Sequence, residues 1–422
     1  MTDTYNGFTR GRAWIAMICT YLMGLTIILC QFQIPPIMQP LVASFGSDSL
    51  VDASLLMTMF GVVQIILSIP ISALLIKIGF RPGAIIALGC VAVGSLIGGF
   101  STSFEVLLCA RVIEGIGGSF GAAAGPAIIT LMFPPNKRGL PMGIWVSWVS
   151  TGVFLSNRLA STITGLMGIR GMFWWVIGVA IIVLIIFLVV VRYPRELERS
   201  GDNTKKEKVT GAYGFRKAWL LCAMFVCYSM VLSSANSLLP TYIAQTFGIA
   251  STVAAGEVSW FSLVGIFAGV AWGFLINYWM RKKQINVGII VLCVCVTLGF
   301  GLLFTVPSLG PVLVIFMVVA ALLTAGWPTI AFALAPTTVN NVVFVTATMA
   351  LLNIGTRIGS AFGPLASAAI VENGGWAAMP LPTVSCGVLL VIGSIVWFVW
   401  SKKPSTKEQE SIALADQQER QT

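Results

Sequence analysis

Histidine is absent from this chain. That removes the imidazole ligands of catalytic zinc and the base of a Ser–His pair. Charge is scarce too: 9% of residues are Asp, Glu, Lys or Arg, against roughly 25% in an ordinary soluble domain. So few charges cannot cover the surface of a water-soluble fold, whereas lipid tolerates an apolar exterior. The nine Cys show neither metal-ligand spacing nor a disulfide framework, and read as small buried hydrophobes. Neither a metal nor a cofactor is expected. With no Asp dyad in the apolar segments either, an enzyme is the weakest function class.

What the chain has is length and apolarity: 422 residues, 57% of them hydrophobic. A bilayer core needs about 20 apolar residues per helix. Spans of that kind read at Ala13–Pro36, Leu55–Ile76, Gly83–Phe100, Phe104–Phe133, Met142–Leu166 and Met172–Val191. Six more read at Ala218–Tyr242, Val258–Met280, Val287–Val306, Val312–Leu334, Val342–Ile370 and Val384–Trp400. The predicted fold class is therefore all-α and integral to the membrane, with twelve transmembrane helices. The net charge of +10 does not point to nucleic acid, because of where it lies. All but four of the 25 Lys and Arg fall at the N-terminus, in alternate loops or in the C-terminal tail; the exceptions are Arg111, Arg158, Arg170 and Arg357. The other loops hold Asp48, Asp52, Glu105, Glu257 and Glu372. This is the positive-inside pattern, and it predicts a multi-pass cell-membrane protein, in a bacterial inner membrane, with both termini cytoplasmic.

The chain repeats itself. Pro126 and Pro134 in the fourth span are echoed 202 residues later by Pro328 and Pro336 in the tenth. Gln31 before Pro35 is echoed by Asn236 before Pro240, Ser72–Arg81 by Gly273–Lys282, and Gly152 by Gly355. A near-constant offset argues for duplication, giving two six-helix repeats around a central cavity. The expected units are a first half over residues 1–193, a cytoplasmic linker over 194–217, a second half over 218–401 and a polar tail over 402–422. Repeats of this kind place a solute site at their interface near the midplane.

Against that frame of spans, several short motifs fall at matching positions. Ser72-Ala73-Leu74-Leu75-Ile76-Lys77-Ile78-Gly79-Phe80-Arg81 matches the loop pattern Gly-x-Leu-Ala-Asp-Arg-x-Gly-Arg-Arg at Leu74, Lys77, Gly79 and Arg81, with Ile76 where the pattern has Asp. Gly273–Lys282 is the second copy, with Asn277 in place of the acid and Arg281 as a basic member. Arg111-Val112-Ile113-Glu114-Gly115-Ile116-Gly117 matches Arg-x-x-Gln-Gly-x-Gly with Glu for Gln. Asn136–Gly139 with Met142-Gly143, and Gly168–Phe173, match the usual starts of the fifth and sixth helices. Over essentially its whole length the sequence resembles the major facilitator superfamily. The resemblance implies secondary transport by alternating access, with a cytoplasmic latch formed by the loop motif; the missing carboxylate at Ile76 weakens that latch in the first half. The antiporter motif of the fifth helix is degraded here (Gly152–Ser161), which weakens a drug–proton antiporter reading.

Charge at mid-bilayer costs roughly 3 kcal/mol or more and usually faces the bundle interior. Four such residues lie deep in spans: Arg111, Glu114, Arg158 and Arg357. Arg158 shares a helical face with Ser147, Thr151 and Thr162, and Arg357 one with Thr346, Asn353 and Ser360. Gly355, Gly359 and Gly363 form a separate line, on which a neighbouring helix can pack. The two arginines predict an anion site with a guanidinium from each half, since the fork grips a carboxylate in two places; structural pairing with carbonyls or Glu114 is the alternative. Gln31, Asn236, Asn353 and Tyr228 are the expected polar contacts of the solute, with Gln33 and Tyr242 as further candidates; for Gln31, Gln33, Asn236, Tyr228 and Tyr242, packing or helix contacts are the alternative. Arg111 and Glu114, three apart, form either a structural pair or a proton carrier. Together with Lys77, Gly79, Arg81, Asn277 and Arg281 they make the coupling or gating set. Trp145 and Trp148 read as helix packing. The expected protein is a monomeric carrier of a small, anionic solute, with protons or a counter-solute as possible partners; the alternative is a proton-coupled exporter of cationic or hydrophobic drugs.

Overall fold

The computed structural model describes residues 4–5, 8–133, 141, 144–145, 147–191, 212–281, 284–306, 308–334 and 342–402. Apart from a two-residue strand pair, β1 (Thr4–Tyr5) and β2 (Phe8–Thr9), the described elements are helical. The first half holds α1 (Arg10–Phe32), a 3₁₀ turn (Pro35–Ile37), α2 (Met38–Ala43), α3 (Leu50–Ile78), α4 (Phe80–Phe100), α5 (Phe104–Met132), α6 (Trp148–Met167) and α7 (Gly171–Val190). The second half holds α8 (Ala212–Phe247), α9 (Ser251–Arg281), α10 (Ile285–Leu303), α11 (Pro311–Thr324), α12 (Gly326–Leu334), α13 (Val342–Gly374) and α14 (Pro380–Lys402). Among the described residues eleven segments are long and apolar enough to cross a bilayer. The twelfth expected span is the more polar α6.

Local chemistry sets the boundaries. Ser49 caps α3 by accepting the Asp52 N–H at 3.1 Å, and Ser103 caps α5 by accepting the Val106 N–H at 3.4 Å. Asp52 and Glu105, both expected in loops, sit in those first turns, where the helix dipole favours an anion. Gly79 ends α3 at φ 96°, a left-handed conformation open to glycine at little cost, and its N–H closes on the Leu75 carbonyl at 2.8 Å.

Three spans differ from expectation. The first gives way after Phe32 to the Pro35–Ile37 turn, because consecutive prolines cannot continue the ladder. The segment Arg216–Lys217, expected as linker, is already within α8, whose helix starts at Ala212. The tenth span, continuous as an apolar segment over Pro311–Ala331, loses one step of its ladder at Ala325, between α11 and α12. Pro328 has no N–H for the Thr324 carbonyl, four residues back. The Tyr228 hydroxyl takes that role at 3.0 Å, and Trp272 Nε1 donates to the nearby Leu322 carbonyl at 2.5 Å.

The halves meet along two seams, α3 with α13 and α6 with α9, while the Pro35–Ile37 turn packs on α8 and α9. Every second helix end lies at the face away from the Arg10 and Lys402 ends. At that face Ile34, Ile37 and Met38 of the first half join Leu239, Ile243 and Val258 of the second in one buried apolar cluster. The three glycines of α13 pack as their spacing predicts. A Cβ on Gly355 would stand 2.9 Å from the Cys222 carbonyl of α8, and one on Gly359 2.5 Å from that of Val226.

Candidate functional site

The motif in α5 works through its small residues first. A Cβ on Gly115 would come within 2.8 Å of the Phe60 carbonyl of α3, and one on Gly117 within 2.7 Å of the Ala87 carbonyl of α4. Only hydrogen at both positions lets three backbones approach this closely. That approach buries Arg111 and Glu114 completely. Arg111 Nη1 donates to Glu114 Oε2 at 2.5 Å and to the Cys30 carbonyl at 2.9 Å. Its Nε donates to the Leu56 carbonyl at 3.0 Å and its Nη2 to that of Gln31 at 3.2 Å. The guanidinium also lies 4.9 Å over the Phe60 ring. Glu114 Oε1 accepts from Ser95 Oγ at 2.6 Å and from Gln33 Nε2 at 3.0 Å. The pair thus ties α1, α3, α4 and α5 together inside the first half. Gln31 enters this network through its backbone, while Gln33, a further candidate for the solute site, and Ser95, not among the predicted residues, enter through their side chains. Cys30, whose sulphur lies 3.9 Å from Ser95 Oγ, marks the same buried spot.

The other two arginines lie on different seams. Arg357 of α13, partly buried, donates from Nη1 to Gln64 Oε1 of α3 at 2.7 Å, a bond between the halves. Arg158 of α6 is exposed, with Nη1 3.9 Å from where a Cβ on Gly256 of α9 would stand; it has no hydrogen-bond partner among the described residues. Next to it, Asn157 buries both amide atoms without a partner among the described residues. The stripe of Arg158 is partly used elsewhere: Ser147 and Thr151 lie 3.2 and 3.0 Å from the Tyr21 hydroxyl of α1. Trp145 and Trp148 stack at 4.7 Å and fill the notch left by Gly24, with Trp145 also lying against Gly125.

The remaining predicted contacts spread out. Tyr228 is buried with its hydroxyl committed to the Thr324 carbonyl. Asn236 is buried on α8, and Asn353 is exposed one turn before Arg357. In the loop motif Lys77 is exposed, Gly79 makes the turn, and Arg81 Nη2 donates to the Leu188 carbonyl at 3.2 Å in the last turn of α7. Arg81 therefore braces the first half internally, its guanidinium charge meeting the negative end of a helix dipole. The side chains of Asn277 and Arg281 lie outside the described residues, as do Asn136–Gly139, Met142 and Gly143.

Sequence reading missed the α3–α13 contacts, which involve side chains far apart in the chain. Thr58 Oγ1 donates to the Ala361 carbonyl at 2.8 Å, and Ser49 Oγ donates to Glu372 Oε1 at 2.7 Å. One signal was present: Gln64 is a single amide within the apolar run of the second span. On the same face as Ser49, a cleft of about 580 Å³ opens between the halves, lined by Gln39, Asp48, Thr164, Gln245 and Thr252 among others.

A family model described as the major facilitator superfamily matches residues 13–344 and, in a second alignment, 221–419. The chain belongs to the major facilitator superfamily. Among superfamily relatives, a probable multidrug-efflux transporter of Mycobacterium tuberculosis is 23% identical over 284 residues, covering 64% of this chain and 55% of the relative. A sialic acid transporter of Escherichia coli is 26% identical over 220 residues, covering 51% of this chain and 53% of its own length. The class B tetracycline resistance protein of Escherichia coli is 24% identical over 193 residues, 46% of each chain. The chain thus spans about half the length of these curated relatives. The crystal structure of a bacterial homolog to the human lysosomal transporter Spinster, in an inward-facing and occupied conformation, superposes with a TM-score of 0.76. It covers 93% of this chain and 98% of its own, at 18% identity. The membrane-spanning helical fold built from two repeats is therefore that of the superfamily.

Proposed function

We propose that this protein is a secondary carrier, rather than an enzyme or channel, which moves a small anionic solute across the membrane by alternating access. The observation that carries the reading is electrostatic. Glu114 is the one fully buried acid among the described residues, and Arg111 already occupies it. Arg357 meets a neutral amide, and Arg158 has no hydrogen-bond partner among the described residues. A cation held in the membrane without a counter-charge is costly, and a bound carboxylate or other oxyanion offsets that cost. Each arginine belongs to one of the two seams that join the halves, so each can report on solute and on seam opening together. Asn353 and Asn236 are the accessory polar contacts of this reading. The sialic acid transporter among the relatives is one whose name specifies an acid.

The positive-inside pattern supports cytoplasmic termini. The apolar cluster and the cleft between the halves then both lie toward the outer face. A second reading rests on the relatives named for drug efflux and tetracycline resistance: export of drugs coupled to protons carried by Glu114.

Uptake and counterflow of labelled organic and inorganic anions into proteoliposomes, with and without a proton gradient, test the reading. Arg357→Lys keeps charge but loses the fork, so transport falls while expression survives. Arg357→Gln and Arg158→Gln each weaken binding about tenfold to over a hundredfold, the size of a lost charge-assisted hydrogen bond. Normal transport of the identified solute by both Gln variants overturns the anion site and favours the drug exporter.

A further inference from the structure

Glu372 lies in the last turn of α13, at the face away from the chain ends, and touches the other half. Its Oε1 accepts from Ser49 Oγ at 2.7 Å and from the Val51 N–H at 3.0 Å. Ser49 is the N-cap of α3, and Val51 is in the first turn. The carboxylate of one half therefore caps the first membrane-crossing helix end of the other that it meets. Free N–H groups and the positive end of the helix dipole face it there. Ser49 links the two roles, since its Oγ accepts the Asp52 N–H while donating to Glu372.

This contact is the outermost tooth of a zipper. Ser49 meets Glu372, Thr58 meets Ala361, and Gln64 meets Arg357. As α3 residue numbers rise, their α13 partners fall, as two antiparallel helices in register require. Thr58 and Gln64 use a carbonyl and neutral groups, or an arginine fixed in its charge. Glu372 is the one tooth whose charge a proton can cancel. The titratable groups facing it are Asp52, on α3, and Asp48, in the turn before α3. Asp52 is itself held by Ser47 Oγ at 2.6 Å. The 3₁₀ turn Trp376–Ala378, the end of α8 and the start of α14 bring no charged side chain to it. Among the described residues no cation pairs with the carboxylate, so the helix end and the two donors supply its stabilisation.

We infer that Glu372 is a proton-controlled gating residue, whose carboxylate latches the halves at this face and whose protonation releases them. The sign follows from the contacts. The anion is the better acceptor and the only form that the dipole favours. The latch is therefore strong above the carboxylate's titration range and weak below it. Acid on this face raises the fraction of molecules open there, whatever solute the protein carries.

Distances between halves in the full-length protein, in lipid nanodiscs, test the inference. Spin labels are placed through a non-canonical keto amino acid at exposed Thr102 and Ser308, so the native cysteines stay. Both sites lie on this face, one in each half. Between about pH 7.5 and about pH 3.5 the longer distance gains population in the wild type, most of the gain falling below about pH 4.5. Glu372→Gln raises the open-to-closed ratio roughly two- to fivefold at the higher pH, the size of an exposed anion–helix-end contact, and flattens the pH response. Glu372→Asp, which keeps the charge, retains a pH response. Glu372 is exposed, so the variants are expected to fold, and a matching gel-filtration profile verifies it. A Glu372→Gln distribution identical to the wild type overturns the inference. So does a full pH response in that variant, which would assign it to Asp48 or Asp52.

Discussion

Glu114 offers the sharpest test of what holds the first half together. Replacing it with Ala removes the acceptor that Arg111 Nη1, Gln33 Nε2 and Ser95 Oγ share. The guanidinium keeps three backbone carbonyls but loses its only counter-charge, at a site fully closed to solvent. Removing one partner of a buried ion pair costs roughly 3–5 kcal/mol. By the scaling for larger soluble domains this is a fall of roughly 6–20 °C in apparent melting temperature. Arg111→Met leaves the carboxylate stranded and should cost about as much. The double variant Arg111→Met/Glu114→Leu removes both charges, and apolar replacement of a buried pair is often close to neutral. Its loss should therefore be well below the sum of the two singles, and the difference is the coupling energy of the pair. Thermal unfolding of purified protein in detergent, followed by fluorescence-detected gel filtration, reads all three. If both single variants melt within about 2 °C of the wild type, the structural account of this pair is wrong. A further variant, Arg111→Gln/Glu114→Gln, separates architecture from proton carriage. A folded protein whose transport keeps its pH dependence assigns the pair to structure; loss of that dependence alone assigns Glu114 to coupling.

Two shorter predictions concern the second half and the topology. Tyr228→Phe removes the hydroxyl that meets the Thr324 carbonyl freed by Pro328, and should cost about 1–3 kcal/mol in the same thermal assay; an unchanged melting temperature would mean that the break needs no donor. A C-terminal reporter active only outside the cytoplasm should stay silent, and activity there would reverse the assigned orientation.

The parts legible in the sequence were those governed by local periodicity. Apolar length marked the spans, and glycines at 355, 359 and 363 marked the face of α13 that packs on α8, because small residues four apart make a groove whatever lies opposite. The Arg111–Glu114 contact was legible for the same reason, being three residues apart on one helix. Gln64 as the partner of Arg357 was not, since 293 residues separate them and only the approach of two halves joins them. Glu372 was read as a loop acid because charge usually marks a loop; its helix ends one turn later than the apolar pattern does. The break at Ala325 was hidden because the apolar pattern runs through Pro328 without a gap. Hydropathy carries no record of which carbonyl has lost its donor.

That break makes the two copies unequal in their hydrogen bonding. In the first half Pro126 lies inside an unbroken α5. In the second half the matching proline follows the step at Ala325, whose backbone stays in the helical region at φ −69° and ψ −14°. There Tyr228 of α8 and Trp272 of α9 donate to carbonyls just before the proline. A proline at the same place in both repeats is thus accommodated within one helix in the first and with donors from two neighbouring helices in the second.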